Sequence, residues 1–264
     1  GGGGSDGGGD GDGSGGPIAD MSIFTGFKPE LDALTPGSLV AVLAYRGSFC
    51  PVTCAHVQSI VEAREILVGN QPPANSDDDT PFHPYDACVA LVQANAEGWL
   101  APKLKASGED CLTRADRELL IERATSNQPW VAPLVRRGDG FKPNTADTHE
   151  AAVAYLTSCY PSLTFVTWWL NGADDVVKYK KWEKAGENSR RITMGRPGDT
   201  EAVAAAIQQT PLDPNHFLLG PEMPDVSSTK VRALLRARDD RALTDMLHPA
   251  VMAWCYENSP YQPR

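Results

Sequence analysis

The sequence predicts an α/β fold: a doubly wound parallel sheet followed by C-terminal helices. Three observations predict it. Residues 38–45 and 163–170 are continuous apolar runs of strand length, the pattern of strands buried on both faces. Stretches of helical periodicity alternate with these runs, as crossover connections between parallel strands require. The first run also empties into the turn Gly47-Ser48-Phe49-Cys50-Pro51, and a helical pattern opens directly after it with Thr53 and His56 in its first turn.

Taken in order, residues 1–16 are almost wholly Gly, Asp and Ser, so residues 1–20 are expected to form a disordered tail and residues 21–264 a single domain. Residues 18–36 form a lead-in. The first helix is expected from Thr53 to about residue 68 through Val57, Ile60, Val61, Ala63 and Leu67, and Gly69-Asn70-Gln71-Pro72-Pro73 stops it. Asp77-Asp78-Asp79 lacks the interleaved spacing of a calcium loop and reads as a solvated loop. Residues 98–102 are expected to be a short second strand ending in a loop that carries Lys103 and Lys105. A helix over 113–127 and a third strand over 130–135 follow. Residues 148–159 are helical, with Thr148 or Asp147 as the cap, and the strand at 163–170 breaks at Asn171-Gly172-Ala173-Asp174. Strands at 190–194 and 216–219 flank a helix at 200–209. Helices over 228–238, 241–247 and 249–257 complete the pattern.

The chain has 264 residues, 41% of them apolar, which suits a globular domain with a substantial core. Its formal charge of −10 is concentrated: Asp6, Asp10, Asp12, Asp20, Asp77, Asp78 and Asp79 lie in tail or loop segments, which leaves the remainder at −3. A near-neutral domain without a basic stripe excludes a nucleic-acid duplex as partner, and an anionic small substrate requires a local cluster of donors instead. No apolar stretch reaches the roughly 20 residues of a bilayer span, so no membrane partner is expected. The six cysteines (Cys50, Cys54, Cys88, Cys111, Cys159, Cys255) are scattered in a chain too long to need staples, which places the protein in an intracellular, reducing compartment, cytoplasm or nucleus. Cys50, Cys54 and His56 are followed by no second ligand pair, so no protein metal site is expected.

Two stretches carry the chemistry. Backbone N–H groups at a helix start have no intrahelical partners, and the helix dipole adds partial positive charge there, so the turn at Gly47–Pro51 is a candidate phosphate site. Thr53 and His56, three apart, share one helix face. The second stretch is Val226-Ser227-Ser228-Thr229-Lys230-Val231-Arg232, hydroxyl residues at a helix start with an arginine one turn later on the same face.

Gly-Ser-Phe-x-Pro-x-Thr-x-x-His resembles the N-terminal signature of the nucleotidyltransferase superfamily, in the form found in nicotinamide mononucleotide adenylyltransferases. Val-Ser-Ser-Thr-x-x-Arg resembles the same superfamily's Ile-Ser-Ser-Thr-x-x-Arg motif. Trp168-Trp169-Leu170-Asn171-Gly172-Ala173-Asp174 with Trp182 downstream is similar to the Gly-Ala-Asp segment and tryptophan of the eukaryotic-type enzymes. Weaker likeness runs through Ala101-Pro102, Arg117 and Asn127-Gln128-Pro129-Trp130-Val131.

The resemblance implies a Rossmann-like domain that transfers AMP from ATP to nicotinamide or nicotinate mononucleotide, with release of pyrophosphate. It implies His56, Thr53 and Arg232 as catalytic groups. Gly47, Ser48, Phe49, His56, Gly172, Asp174, Ser227, Ser228, Thr229 and Arg232 would contact ATP, and Ser48, Phe49, Lys103, Lys105 and Trp182 the mononucleotide. Magnesium would travel on the nucleotide phosphates; the partners are ATP and a mononucleotide, and a homo-oligomer is compatible with the pattern. The chain departs from the family in three places. Cys50 stands where the family has Asn, the middle strand has no Thr-Trp-Glu, and the family's loop lysine has no clear counterpart beside Lys103 and Lys105. Two alternatives therefore stay open: adenylyl or cytidylyl transfer to another phosphate ester, and a diverged nucleotide-binding homologue that acts as a scaffold without turnover. Cys50, near a helix start, is a candidate for oxidation unless it is buried.

Overall fold

A computed structural model describes residues 21–76, 79, 81–106, 111–134, 145–210, 212–258 and 260–261. The tail expected over 1–20, Asp77 and Asp78, Arg136-Arg137-Gly138 and the side chain of Lys103 lie outside the described residues. A 3₁₀ segment (Met21–Phe27) leads into α1 (Lys28–Leu31), followed by β1 (Leu39–Gly47), α2 (Cys54–Leu67), β2 (Ala87–Ala94), α3 (Glu97–Ala106), α4 (Arg114–Ala124), β3 (Val131–Pro133), α5 (Thr145–Cys159) and β4 (Thr164–Gly172). The second half runs α6 (Ala173–Tyr179), a 3₁₀ turn (Lys181–Lys184), β5 (Arg190–Gly195), α7 (Thr200–Gln209), β6 (Phe217–Glu222), α8 (Ser228–Ala237), α9 (Asp240–Leu243) and α10 (Pro249–Asn258).

All six strands join one parallel sheet in the order β3-β2-β1-β4-β5-β6. The order reverses between β1 and β4. At such a switch point the loops leaving the two strands part to opposite faces and open a crevice at the carboxyl edge, which is where ligands bind in open α/β sheets. The Gly47 end of β1 and the Gly172 end of β4 border that crevice.

Alternate side chains of the central strands feed two cores. Ala41, Leu43, Cys88, Ala90, Val92 and Trp168 pack beneath α2, α4, α8 and α10. Val40, Val42, Val89 and Leu91 pack beneath α5 and the first 3₁₀ segment. Trp168 is fully buried, and its indole N–H donates to the Tyr85 hydroxyl at 2.9 Å, so the ring fills the core without an unpaired donor. A smaller cluster of Ala173, Val176, Val203, Phe217 and Leu219 joins α6 and α7 to β6.

The expected strand at residues 98–102 is corrected: that segment is α3, and the second strand is β2, with all eight of its residues buried. Leu100 and Leu104, four apart, are the buried positions of α3, which is helical spacing. Pro102 is tolerated within it because the lost hydrogen bond belongs to the exposed Gly98 turn. The helix expected over 241–247 closes after Leu243, where Asp239 has already capped Ala242 N at 3.1 Å to start a short turn. The other expected helices and strands fall within a few residues of their bounds, but α5 opens at Thr145, so Asp147 and Thr148, expected as its cap, lie inside the helix. α2 ends as expected before Gly69, whose φ of +80° and whose packing against Pro84 leave no room for a Cβ.

Candidate functional site

Thr53 is extended (φ −118°) and caps α2, and the cap is reciprocal. Its hydroxyl oxygen accepts from His56 N at 3.4 Å, and its own backbone N–H donates to His56 Nδ1 at 3.0 Å. The same hydroxyl lies 2.8 Å from Nδ1 and can donate to it. A ring nitrogen that accepts from a backbone N–H carries no proton. His56 is therefore the neutral tautomer with its proton on Nε2, the nitrogen left to serve a ligand. Burial pushes its pKa down to about 4; the Arg196 charge acts in the same direction and Asp174 opposes them.

The turn before the cap is built to hold an anion. Phe49 takes the left-handed conformation at φ +44°, and its ring is buried, edge-on to Tyr45 at 5.2 Å and to His56 at 5.1 Å. A Cβ on Gly47 would meet that ring at 2.8 Å, so glycine here makes room for Phe49. The carbonyls of the turn are drawn outward: Ser48 O accepts from Arg117 Nη1 at 2.9 Å, Cys50 O from Arg232 Nη1 at 2.8 Å, and Pro51 O from the Ser228 hydroxyl at 2.9 Å. Among the described residues the N–H groups of Ser48, Phe49 and Cys50 make no hydrogen bond. Successive free N–H groups around a left-handed residue form an anion-binding concavity.

The start of α8 meets this turn directly through Ser228. Ser227 caps α8 by accepting from Lys230 N at 3.2 Å, and the N–H groups of Ser228 and Thr229 in its first turn stay unbonded among the described residues. Arg232, expected to reach out over an anion, is buried beneath the turn with Nη2 bonded to the Thr229 hydroxyl at 3.1 Å. At the start of α2 the donors are also partly spent. Cys54 N donates to Met246 O at 2.9 Å, and those of Thr53 and His56 serve the cap. The open donors are those of the turn and of α8, and α2 contributes its dipole and His56.

Gly172 caps α6 at the end of β4, and a Cβ there would meet Asp174 Oδ1 at 2.7 Å. Asp174 pairs with Arg196 Nη1 at 3.1 Å, and both charges act on His56. Arg196, just past β5, borders the site and was missed by sequence reasoning; the basic residue opening the loop Arg196-Pro197-Gly198 after a strand was the available signal, whereas Arg117 was singled out in the sequence only as part of a resemblance, without a role. Trp182 packs partly buried against the cluster of Ala173 and Val176, and Lys105 is exposed on α3. Cys50 is buried with its thiol 3.7 Å from the Tyr261 hydroxyl. Burial also pushes up the neighbouring Cys111 and Cys255 thiols, to about 11 and about 12. All six cysteines are unpaired. Among the described residues no helix is long and apolar enough to cross a membrane, and no three potential metal ligands converge.

No protein-family model matches the chain. It is similar to the probable nicotinate-nucleotide adenylyltransferases of Neisseria meningitidis serogroups C and B, each 27% identical over 166 residues that span 56% of this chain and 74% of the relative. Among solved structures it resembles Plasmodium falciparum nicotinic acid mononucleotide adenylyltransferase complexed with APC, at a TM-score of 0.50 and 13% identity, covering 84% of this chain and 96% of that one. That likeness is one of fold. The turn after β1 and the start of α8 stand together at one end of the sheet, joined by the Ser228 and Arg232 hydrogen bonds.

Proposed function

We propose that the protein is an adenylyltransferase that moves AMP from ATP to nicotinate or nicotinamide mononucleotide, forming the dinucleotide and pyrophosphate. The observation that carries this reading is the joined pair of anion-binding elements: the turn of unbonded N–H groups at Ser48–Cys50 and, tied to it by Ser228, the unbonded first turn of α8. Two adjacent anion sites suit a reaction that brings a phosphate monoester against a triphosphate. The similarity to nicotinate-nucleotide adenylyltransferases supports this choice of acceptor.

The nucleophile is a phosphate oxygen, already anionic near neutral pH, so no side-chain base is needed. Catalysis then rests on alignment and on stabilising charge at the α-phosphate and the leaving group. The Ser48 and Phe49 N–H groups and the Ser48 hydroxyl hold the acceptor phosphate, with Gly47 leaving space for the Phe49 ring beneath. His56 donates from Nε2 to an α-phosphate oxygen, and Thr53 keeps the ring in that tautomer. Ser227, Ser228 and Thr229 at the start of α8 hold the β- and γ-phosphates, and Arg232 acts from below by fixing Cys50 O. By the family resemblance, Gly172 and Asp174 would contact the adenosine, Trp182 the pyridine ring, and Lys103 and Lys105 the mononucleotide phosphate. Magnesium would be carried by phosphate oxygens and water, as an ion that keeps most of its water shell commonly is. When bound, it neutralises phosphate charge and aids departure of pyrophosphate.

The test is pyrophosphate release from ATP and magnesium with nicotinate mononucleotide, nicotinamide mononucleotide and phosphopantetheine as separate acceptors. Release with either pyridine mononucleotide supports the proposal. Release only with phosphopantetheine, or ATP binding with no turnover on any acceptor, refutes it.

A further inference from the structure

Arg117 lies in the first turns of α4, far from both motifs in sequence, and is completely buried. Its guanidinium donates to three carbonyls: Ser48 O at 2.9 Å, Asn95 O at 2.7 Å and Leu112 O at 3.3 Å. Of its two acidic sequence neighbours, Glu118 is paired with Arg114 at 2.6 Å and Asp116 accepts from the Thr113 hydroxyl at 2.6 Å, and among the described residues no carboxylate lies within ion-pairing distance of Arg117. A buried cation held only by neutral carbonyl dipoles is costly, and a chain that needed only a brace could have used a neutral donor.

We infer that Arg117 is a positioning residue for the acceptor phosphate, a role that rests on reading the turn after β1 as that phosphate's site. The geometry of the peptide carries the argument. In a trans peptide the carbonyl and the following N–H point in opposite directions. The Ser48–Phe49 peptide is trans, so a Ser48 carbonyl fixed on Arg117 turns the Phe49 N–H to the opposite side, into the concavity with the N–H groups of Ser48 and Cys50. Without the guanidinium, rotation of this one peptide would present a carbonyl oxygen to the phosphate in place of a donor. Arg117 also ties the turn to the end of β2 through Asn95, whose own N–H donates to Gly47 O at 2.8 Å, so the two strand ends flanking the turn keep a fixed separation. Its positive charge remains uncompensated until an anion arrives on the far side of the turn. The start of α8 is tied to the far end of the turn, at Cys50 O and Pro51 O, by Arg232 and Ser228, and neither bond involves Arg117, so the triphosphate side is expected to feel its loss less.

The experiment compares Arg117→Lys and Arg117→Met with wild type by steady-state kinetics in which nicotinate mononucleotide and ATP are varied separately. Direct titration of nicotinate mononucleotide and a thermal melt of each protein accompany the kinetics. The expected result is a rise in the mononucleotide KM of about tenfold or more for Met and a smaller rise for Lys, which can hold one carbonyl at a time, with the ATP KM within about threefold. A purely structural role would move both constants together. Should the Met variant fail to fold, the Lys variant decides. Unchanged mononucleotide binding in a folded Lys or Met variant, or equal rises in both KM values, overturns the assignment. A wild-type protein that binds no mononucleotide overturns instead the functional reading on which it rests.

Discussion

Replacing His56 separates chemistry from architecture, because the same ring serves both. Its Nδ1 accepts the Thr53 N–H at 3.0 Å and closes the cap of α2, while Nε2–H is the group proposed above to meet the α-phosphate. His56→Ala removes both. Loss of one preorganised donor to developing transition-state charge lowers kcat by roughly 100- to 1000-fold, and loss of the reciprocal cap costs about 1 kcal/mol of stability. His56→Gln keeps the second function and discards the first. Gln at the third helical position accepts from the capping residue's N–H as capping boxes commonly do, but its amide cannot stand where Nε2 stands. The Gln variant is therefore expected to melt within a degree or two of wild type, following about the usual scale for a retained cap, yet to be as slow as Ala. Continuous pyrophosphate release gives kcat, and differential scanning calorimetry gives the melting temperature. Normal turnover by His56→Ala, or recovery of wild-type kcat by His56→Gln, would refute the tautomer argument and the role built on it.

Three further outcomes follow from the same geometry. The buried His56 imidazole, held near a pKa of about 4, leaves the unfolded chain to take up the proton first as pH falls, so its contribution to stability is complete above pH 6.5 and declines toward pH 4; urea midpoints measured across that window should fall less steeply in His56→Gln, and an identical slope would count against burial as the cause. Gly47→Ala drives a methyl to 2.8 Å from the Phe49 ring and should cost about 1–3 kcal/mol while weakening mononucleotide binding; a variant as stable and active as wild type shows that the ring has somewhere to go. Gln93 on β2 is fully buried, and among the described residues neither of its amide atoms is hydrogen-bonded, so Gln93→Met is expected to be neutral or stabilising by on the order of 1 kcal/mol, and a drop in melting temperature would reveal a partner for that amide.

The parts of the site legible in the sequence are those whose physics is local. Thr53 with His56, Ser227 with Lys230 N, and the stop at Gly69 all follow from caps and turns spanning a few residues, and the structure has each of them. β2 was legible by the same rule as β1 and β4, since Ala87–Val92 is a continuous apolar run, but the expectation of a second strand fell instead on the short apolar stretch at 98–102, which is helical. What escaped is set by partners distant in the chain. The basic groups divide in the same way. Arg232 is visible one turn after Ser228, but that it would turn inward to Cys50 O depends on where β6 delivers α8. Arg196 is anonymous in the sequence and Arg117 stands out there only by resemblance, with no visible role, because what distinguishes them, Asp174 and His56 for one and the carbonyls of Ser48 and Asn95 for the other, lies 22 or more residues away.

The bonds that shape the turn after β1 also impose an order in time. Pro51 is held by a residue 177 positions further on, Cys50 O by one 182 positions on, and the Cys50 thiol faces a tyrosine 211 positions on. A nascent chain thus makes this turn at least 177 residues before it makes the side chains that brace it. Such long-range closure slows folding, and a chain cut short before Ser228 would carry the residues of the turn without the bonds that shape it.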